Sequence, residues 1–366
     1  MRLAVVHDYL NQFGGAERCI SALNELFPEA PIYTAIYDQN KMPENFGRME
    51  IQTSFMQHLP FVFPLFKLYF PIYPLAFESF DLSSYEVILS SSSAYAKGIK
   101  RTRDQLHICY CYTPMRFAWR YADYVEKEAF PDWLKLFLQY LIEPIKRWDQ
   151  KNSAGVDHFI AISRAVAERI KKIYGRESVI IYPPVETDLF QPSNIDGDYF
   201  LIVSRLNAYK RIDLVIEAFN QLGLPLKVIG DGPLRQELTK RAGSNIEFLG
   251  RLSDSKIAKY LAECRALIFP GEEDFGIVPV EAMSAGRPVI AYKTGGALET
   301  IVAGETGLFF EPQTAQALVQ ALTKFNFMVF NKQKIRANAL RFAKQVFKGQ
   351  IEDFVQRKYE EKFGKK

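Results

Sequence analysis

Three groups of residues in the second half of the chain have the types and spacing to handle a charged, hydroxyl-rich ligand. Ser204-Arg205-Leu206, then Lys210-Arg211, lies between an apolar strand pattern at 200–203 and a helical one. Arg205 leaves the strand at its carboxyl end and Lys210 opens the helix. Two cations and a helix N-terminus then face one point, which suits a diphosphate. Taken alone, such a pair is equally a solvated basic turn. The second group is Gly271-Glu272-Glu273-Asp274-Phe275-Gly276, continued by Ile277-Val278-Pro279-Val280-Glu281. Loop amides at such a turn hold an anionic oxygen, and Glu273 is placed to accept hydrogen bonds from sugar hydroxyls. Glu281, in the first turns of a helix, suits ribose hydroxyls. Four acids within eleven residues, flanked by Gly and Pro, exceed what capping a helix requires. The third group, Ser284-Ala285-Gly286-Arg287-Pro288-Val289-Ile290-Ala291, reads as a helix ending on a glycine and entering a buried strand. Thr294-Gly295-Gly296-Ala297 adds another Gly-rich turn into a helix.

Two other motifs lead elsewhere. Gly230-Asp231-Gly232-Pro233-Leu234-Arg235 begins like a dinucleotide fingerprint, but Arg235 stands where the third glycine belongs. No fitting acid ends the next strand, which argues against a dehydrogenase. Asp196-Gly197-Asp198 looks like a metal-binding D-x-D, yet it falls in a turn just before strand 200–203. With a basic pair at hand a divalent metal is dispensable, and neither a metal nor another cofactor is expected. The four cysteines, 19, 109, 111 and 264, are too few and scattered for a disulfide framework and read as buried thiols.

Arg205…Lys210, Glu273-x7-Glu281 and the AMSAGRPVIA segment, in this order and spacing, make the chain similar to retaining glycosyltransferases of family four. That resemblance implies the GT-B fold, two facing Rossmann-like domains with a C-terminal helix returning to the first. It implies that Arg205 and Lys210 neutralise the leaving diphosphate, that Glu281 holds the ribose and that Glu273 contacts the donor sugar. Main-chain groups around Arg251 would meet the base, while Phe275, Gly276 and Ile277 would lend backbone amides to sugar and phosphate. On the other side, the loop Asn11–Glu17 with Gly14 and Gly15 would approach the donor phosphates.

The segment CYCYTPMRFAW, Cys109–Trp119, resembles a subgroup of bacterial enzymes that decorate polysaccharides, many of them mannosyltransferases. Those often read CHTPMR, with the His facing the reacting sugar, and here Tyr112 takes that place. A phenol is a poor base at neutral pH, though it donates a hydrogen bond. A front-face reaction dispenses with a strong base if the departing phosphate oxygen takes the acceptor proton. The expected activity is a metal-independent hexosyltransferase, with GDP-mannose as donor and a saccharide or lipid-linked saccharide as acceptor. A UDP-sugar-dependent enzyme of the same fold and a catalytically silent sugar-nucleotide scaffold are the alternatives.

The elements that must position these residues are legible as a strand–helix alternation. Leu3–His7, Val87–Leu89, Leu106–Tyr110, His158–Ala161 and Val179–Ile181 read as strands in the first half. Phe200–Val203, Leu226–Ile229, Ile246–Phe248, Ala266–Phe269, Val289–Ala291 and Gly307–Phe309 follow in the second. Several are unbroken apolar runs, as when helices cover both faces of a parallel sheet. The expectation is therefore an α/β chain of two doubly wound domains. Residues 1–185, with a returning helix at 347–366, form the acceptor side, and 186–346 bind the donor, with the ligand in the cleft between them.

Length and composition agree, with 366 residues, 48% of them hydrophobic and 24% charged. Those values exclude global disorder, and a net charge of +4 is too mild for nucleic-acid binding. The three Trp and 22 of the aromatic residues fall between positions 55 and 148. Two readings are open for the stretches 55–80 and 132–152. Either the aromatics pack inside the first domain, or with Lys and Arg they meet an anionic membrane surface. No apolar run is long and unbroken enough for a spanning helix, and the expected location is cytoplasmic, with the membrane's inner face as the peripheral variant.

Overall fold

A computed structural model describes residues 1–119 and 132–364, with the side chains of the helix beginning at Asp132 given from Tyr140 onward. Trp133, part of the membrane-facing reading of 132–152, thus lies outside the described side chains. The chain divides into two compact units, Met1–Tyr182 with Phe347–Lys366, and Pro183–Val346.

The first unit holds seven strands: β1 (Leu3–His7), β2 (Ile32–Thr34), β3 (Ile51–Thr53), β4 (Val87–Ser92), β5 (Leu106–Cys111), β6 (His158–Ala161) and β7 (Ser178–Ile180). They pair in the order β3-β2-β1-β4-β5-β6-β7, all parallel. Every residue of β1, β4 and β5 is buried, including Ser90, Ser91, Ser92 and His107, so these strands do not show the apolar–polar alternation of a half-exposed sheet. β2 and β3, which the sequence did not announce, have three residues each, too few to show a period. They exist because β1 offers a pairing edge, with Val5 opposite Ile32 and Ile32 opposite Ile51.

The second unit has β8 (Phe200–Val203), β9 (Leu226–Ile229), β10 (Ile246–Gly250), β11 (Leu267–Phe269), β12 (Val289–Tyr292) and β13 (Gly307–Phe310). The order is β10-β9-β8-β11-β12-β13, again parallel throughout. From β8 the chain winds outward to β10, then returns to place β11 on the other side of β8. The crevice outside the carboxyl ends of β8 and β11 is therefore the switch point of this sheet, where ligands bind in such folds. Phe200, Ile202, Val215, Phe219, Val228, Ile268, Ile290 and Leu322 are among the residues of its apolar core.

The last helix, Lys344–Phe363, buries Phe347, Ile351, Phe354, Val355 and Tyr359, spaced so as to share one face. Phe347 meets Tyr110 edge-on at 5.5 Å, Phe354 meets His158 at 6.1 Å, and the Tyr359 hydroxyl donates to Glu86 at 3.0 Å. All these partners belong to the first unit.

The aromatic stretch 55–80 divides between both expected fates. Met56, Val62, Tyr73, Ala76 and Phe77 are in the core of the first unit, with Tyr73 stacked on Tyr95 at 4.7 Å. Phe61, Leu68 and Leu75 stay 76%, 71% and 63% exposed. Among the described residues no helix is long and apolar enough to cross a membrane.

Candidate functional site

The apolar run of β8 ends at Val203, and the chain then turns against two neighbouring loops. Ser204 and Leu206 donate their amides to Ile229 and Asp231 at 3.0 Å each, which extends the β8–β9 pairing past the sheet. Gly230, at φ +129°, lies so close that a Cβ there would come within 1.9 Å of the Ser204 carbonyl oxygen; for Gly232 the clash would be with Leu206 at 2.6 Å. The G-x-G motif thus lets two backbones meet beneath the basic turn. Leu206 is buried beneath the turn while Arg205 is exposed, and residues 208–210 close into a short 3-10 turn that delivers Lys210.

The acidic loop reaches the same place from β11. The Lys210 ammonium is ion-paired with Glu273 Oε1, and the two side chains are 13% and 27% exposed. Gly271 underlies the contact, since a Cβ there would stand 3.1 Å from Lys210 Cα. The Gly-rich turn after β12 closes on the loop from the third side. Gly296 donates its amide to the Glu273 carbonyl at 2.9 Å, and a Cβ on Gly296 would fall 2.2 Å from Phe275 Cα. Gly276, at φ +86°, turns the loop into helix Ile277–Ser284, in which Glu281 is buried at 5% exposure. Phe275 is buried and meets Phe342 edge-on at 5.5 Å, so its ring packs and only its backbone borders the loop. Arg251 follows β10 at the surface.

The structure thus joins Lys210 and Glu273 directly, and sets Arg205, Phe275, Gly276 and Ile277 on the two loops that carry them. That arrangement offers a cation, backbone amides and a carboxylate at one switch point, the equipment for an anionic ligand bearing hydroxyls. Asp196 serves another purpose. Its carboxylate accepts from Arg287 at 2.5 Å and Lys332 at 2.6 Å, which holds it below the usual aspartate range. Arg287 also donates to the Ala262 and Ile195 carbonyls at 2.7 and 2.8 Å, so the arginine of the AMSAGRPVIA segment anchors the chain ahead of β8.

Gly14, Gly15 and Tyr112 lie in the first unit. Gly14 precedes helix Gly15–Leu26 in extended conformation. The Tyr112 hydroxyl is 2.8 Å from Ser91 Oγ and donates to the Ala16 carbonyl at 3.1 Å, while burial keeps its phenol well above the ordinary tyrosine value. It is therefore a neutral hydrogen-bond donor tied to the first turn of that helix. Ser91 also meets His7 Nδ1 at 3.1 Å, and His7 Nε2 stands 3.8 Å from Glu17. Nothing in the sequence spacing announced this row. Nor did it announce Asp8, whose carboxylate accepts the amides of Ser93, Ala94, Tyr95 and Ala96 at 2.6–3.0 Å and so ties the β1 and β4 exits together.

Comparison with known proteins defines the class. Residues 185–339 match the family model of glycosyl transferases, group 1. The chain is 28% identical over 206 residues to the O-antigen chain mannosyltransferase C of Escherichia coli, covering 51% of this chain and 55% of that one. It spans about half the length of several of the curated relatives it matches. Against an alpha-1,3/1,6-mannosyltransferase of Mus musculus it is 25% identical, with 85% and 84% of the two chains aligned. In fold it is similar to Anabaena HepE in complex with UDP, with a TM-score of 0.71 at 19% identity over 98% of this chain and all of the other. The second unit thus matches the glycosyl transferases group 1 model over most of its length, and the chain has the two Rossmann-like domains of the GT-B fold.

Proposed function

We propose that this chain is a retaining hexosyltransferase that takes mannose from GDP-mannose and moves it to a saccharide or a lipid-linked saccharide. The observation that carries the reading is the Lys210–Glu273 pair at the switch point of a group 1 domain. The mannosyltransferase relatives favour the sugar. In the reaction the bond between sugar C1 and the phosphate oxygen breaks, and the acceptor hydroxyl oxygen bonds to C1. Its proton goes to the departing phosphate oxygen, so no strong base on the chain is needed. Lys210 and Arg205 neutralise the charge growing on the diphosphate, and Glu273 orients both Lys210 and the sugar. Glu281 takes the ribose, with backbone groups near Arg251 at the base and Phe275, Gly276 and Ile277 at sugar and phosphate. The cations make a bound metal unnecessary. Tyr112, by its bonding to Ser91 and Ala16, holds the glycine loop and takes no proton. For a lipid-linked acceptor, the exposed Phe61, Leu68 and Leu75 supply the surface that meets the bilayer.

The test is a screen of GDP-mannose and UDP-sugars with the purified chain, with and without a chelator, scored by donor turnover. The expected result is chelator-resistant turnover of GDP-mannose that falls by about 100-fold or more in Lys210→Ala and Glu273→Gln. Undiminished turnover in either variant overturns the assignment. Preference for a UDP-sugar would correct the donor and leave the site standing.

A further inference from the structure

Arg211 follows Lys210 directly and adopts φ +53°, in the left-handed region. At the other end of the same helix, Ile212–Leu222, the equivalent backbone at φ +65° is given to Gly223. An arginine kept where glycine would be relaxed points to a use for its side chain. The guanidinium is fully directed. Nε and Nη2 reach the Asp213 carboxylate at 3.3 and 3.5 Å, and Nη1 donates to Gln313 Oε1 at 3.1 Å. Gln313 Nε2 then donates to the Pro270 carbonyl at 2.7 Å. Pro270 immediately precedes Gly271, the residue packed against Lys210. One carboxamide therefore accepts from the turn carrying Lys210 and donates to the loop carrying Glu273. A carboxylate would only accept there, and an ammonium would only donate.

Resting on the reading of this site as a diphosphate site, we propose that Gln313, working through Arg211, is a positioning residue that locks the Lys210 turn and the Glu273 loop in register for the donor diphosphate. The loops meet through a close backbone approach and an ion pair, so loosening the lock displaces Lys210 from the phosphates without emptying the base or ribose sites.

The experiment titrates GDP, UDP and their parent nucleosides into the wild type, Gln313→Ala, Gln313→Glu and Arg211→Gly, with thermal unfolding followed on the same samples. The expected result is a loss of diphosphate affinity of about tenfold or more in all three variants, with nucleoside affinity unchanged. Gln313→Glu keeps its acceptor for Arg211 but loses the donor for Pro270, so it behaves like Gln313→Ala. Arg211→Gly relaxes the backbone, so its unfolding temperature stays level or rises while diphosphate binding falls. Unchanged diphosphate binding in Gln313→Ala and Arg211→Gly overturns the lock, and so does equal loss of nucleoside and diphosphate, the mark of general loosening. A wild type that binds neither diphosphate overturns the reading of the site, and the lock with it.

Discussion

His107 shows how strongly burial sets the behaviour of a single side chain here. Its ring is buried, Nε2 lies 2.8 Å from Ser90 Oγ, and burial, aided by the Arg101 charge, lowers its pKa from 6.5 to about 3. The folded protein keeps this imidazole neutral while the unfolded chain protonates it below about 6.5. Stability from this group is thus complete above pH 6.5 and is lost progressively as the pH falls toward 3. By pH 5 the loss reaches about 2 kcal/mol. Unfolding free energies from urea titrations at pH 7.5 and 5 should separate for the wild type and converge by that amount in His107→Gln; equal separation in both would show that other groups govern acid sensitivity. Tyr112, which the resemblance sets where relatives carry His, shows at the same scale what a sequence hides: its hydroxyl partners are Ser91 and the Ala16 carbonyl, the latter 96 residues away. Long-range hydrogen bonding of this kind leaves no local pattern.

Among elements, the strands were legible where both faces are buried. β1, β6, β8 and β9 fall on the residues expected, because short, mostly apolar runs between polar turns have few other uses. Helices Ala315–Phe325 and Lys332–Leu340 were not called out, since the first follows a proline-containing turn and the second has only Ile335 and Ala339 buried. The glycines of the turn 294–297 allow it to touch the acidic loop. Gly296→Ala tests this element. Its Cβ would sit 2.2 Å from Phe275 Cα and from the Phe275 carbonyl oxygen, a clash with backbone that no rotamer relieves. The expected outcome is a loss of about 1–3 kcal/mol in unfolding free energy together with weakened diphosphate binding. Wild-type values for both would mean that turn and loop move independently.

At the scale of the whole molecule, surface chemistry decides where the chain can work. The first unit leaves Phe61, Leu68 and Leu75 exposed, with exposed Lys67 preceding Leu68 in the chain, while the intervening Val62 and Tyr73 are anchored in its core. Apolar side chains held out by a fixed backbone next to a cation suit the boundary of an anionic bilayer. Sedimentation with vesicles of anionic phospholipid should therefore retain the wild type, and Phe61→Ser/Leu68→Ser should lose at least about tenfold in partitioning. Equal partitioning of both proteins would remove this surface from the account.

The two ends of the second unit lie side by side. Val185 donates to Phe342 at 3.1 Å, and Lys344 donates to Val185 at 3.0 Å. The second unit is consequently an uninterrupted stretch whose two ends are fastened to each other, inserted into a first unit that the chain must leave and revisit. During synthesis, residues 183–346 emerge as a complete module while the earlier sheet still lacks the apolar face of its closing helix. Tyr110 and His158 cannot be covered by Phe347 and Phe354 until residues beyond 346 have been made, so the first unit cannot complete its packing before the second has been synthesised.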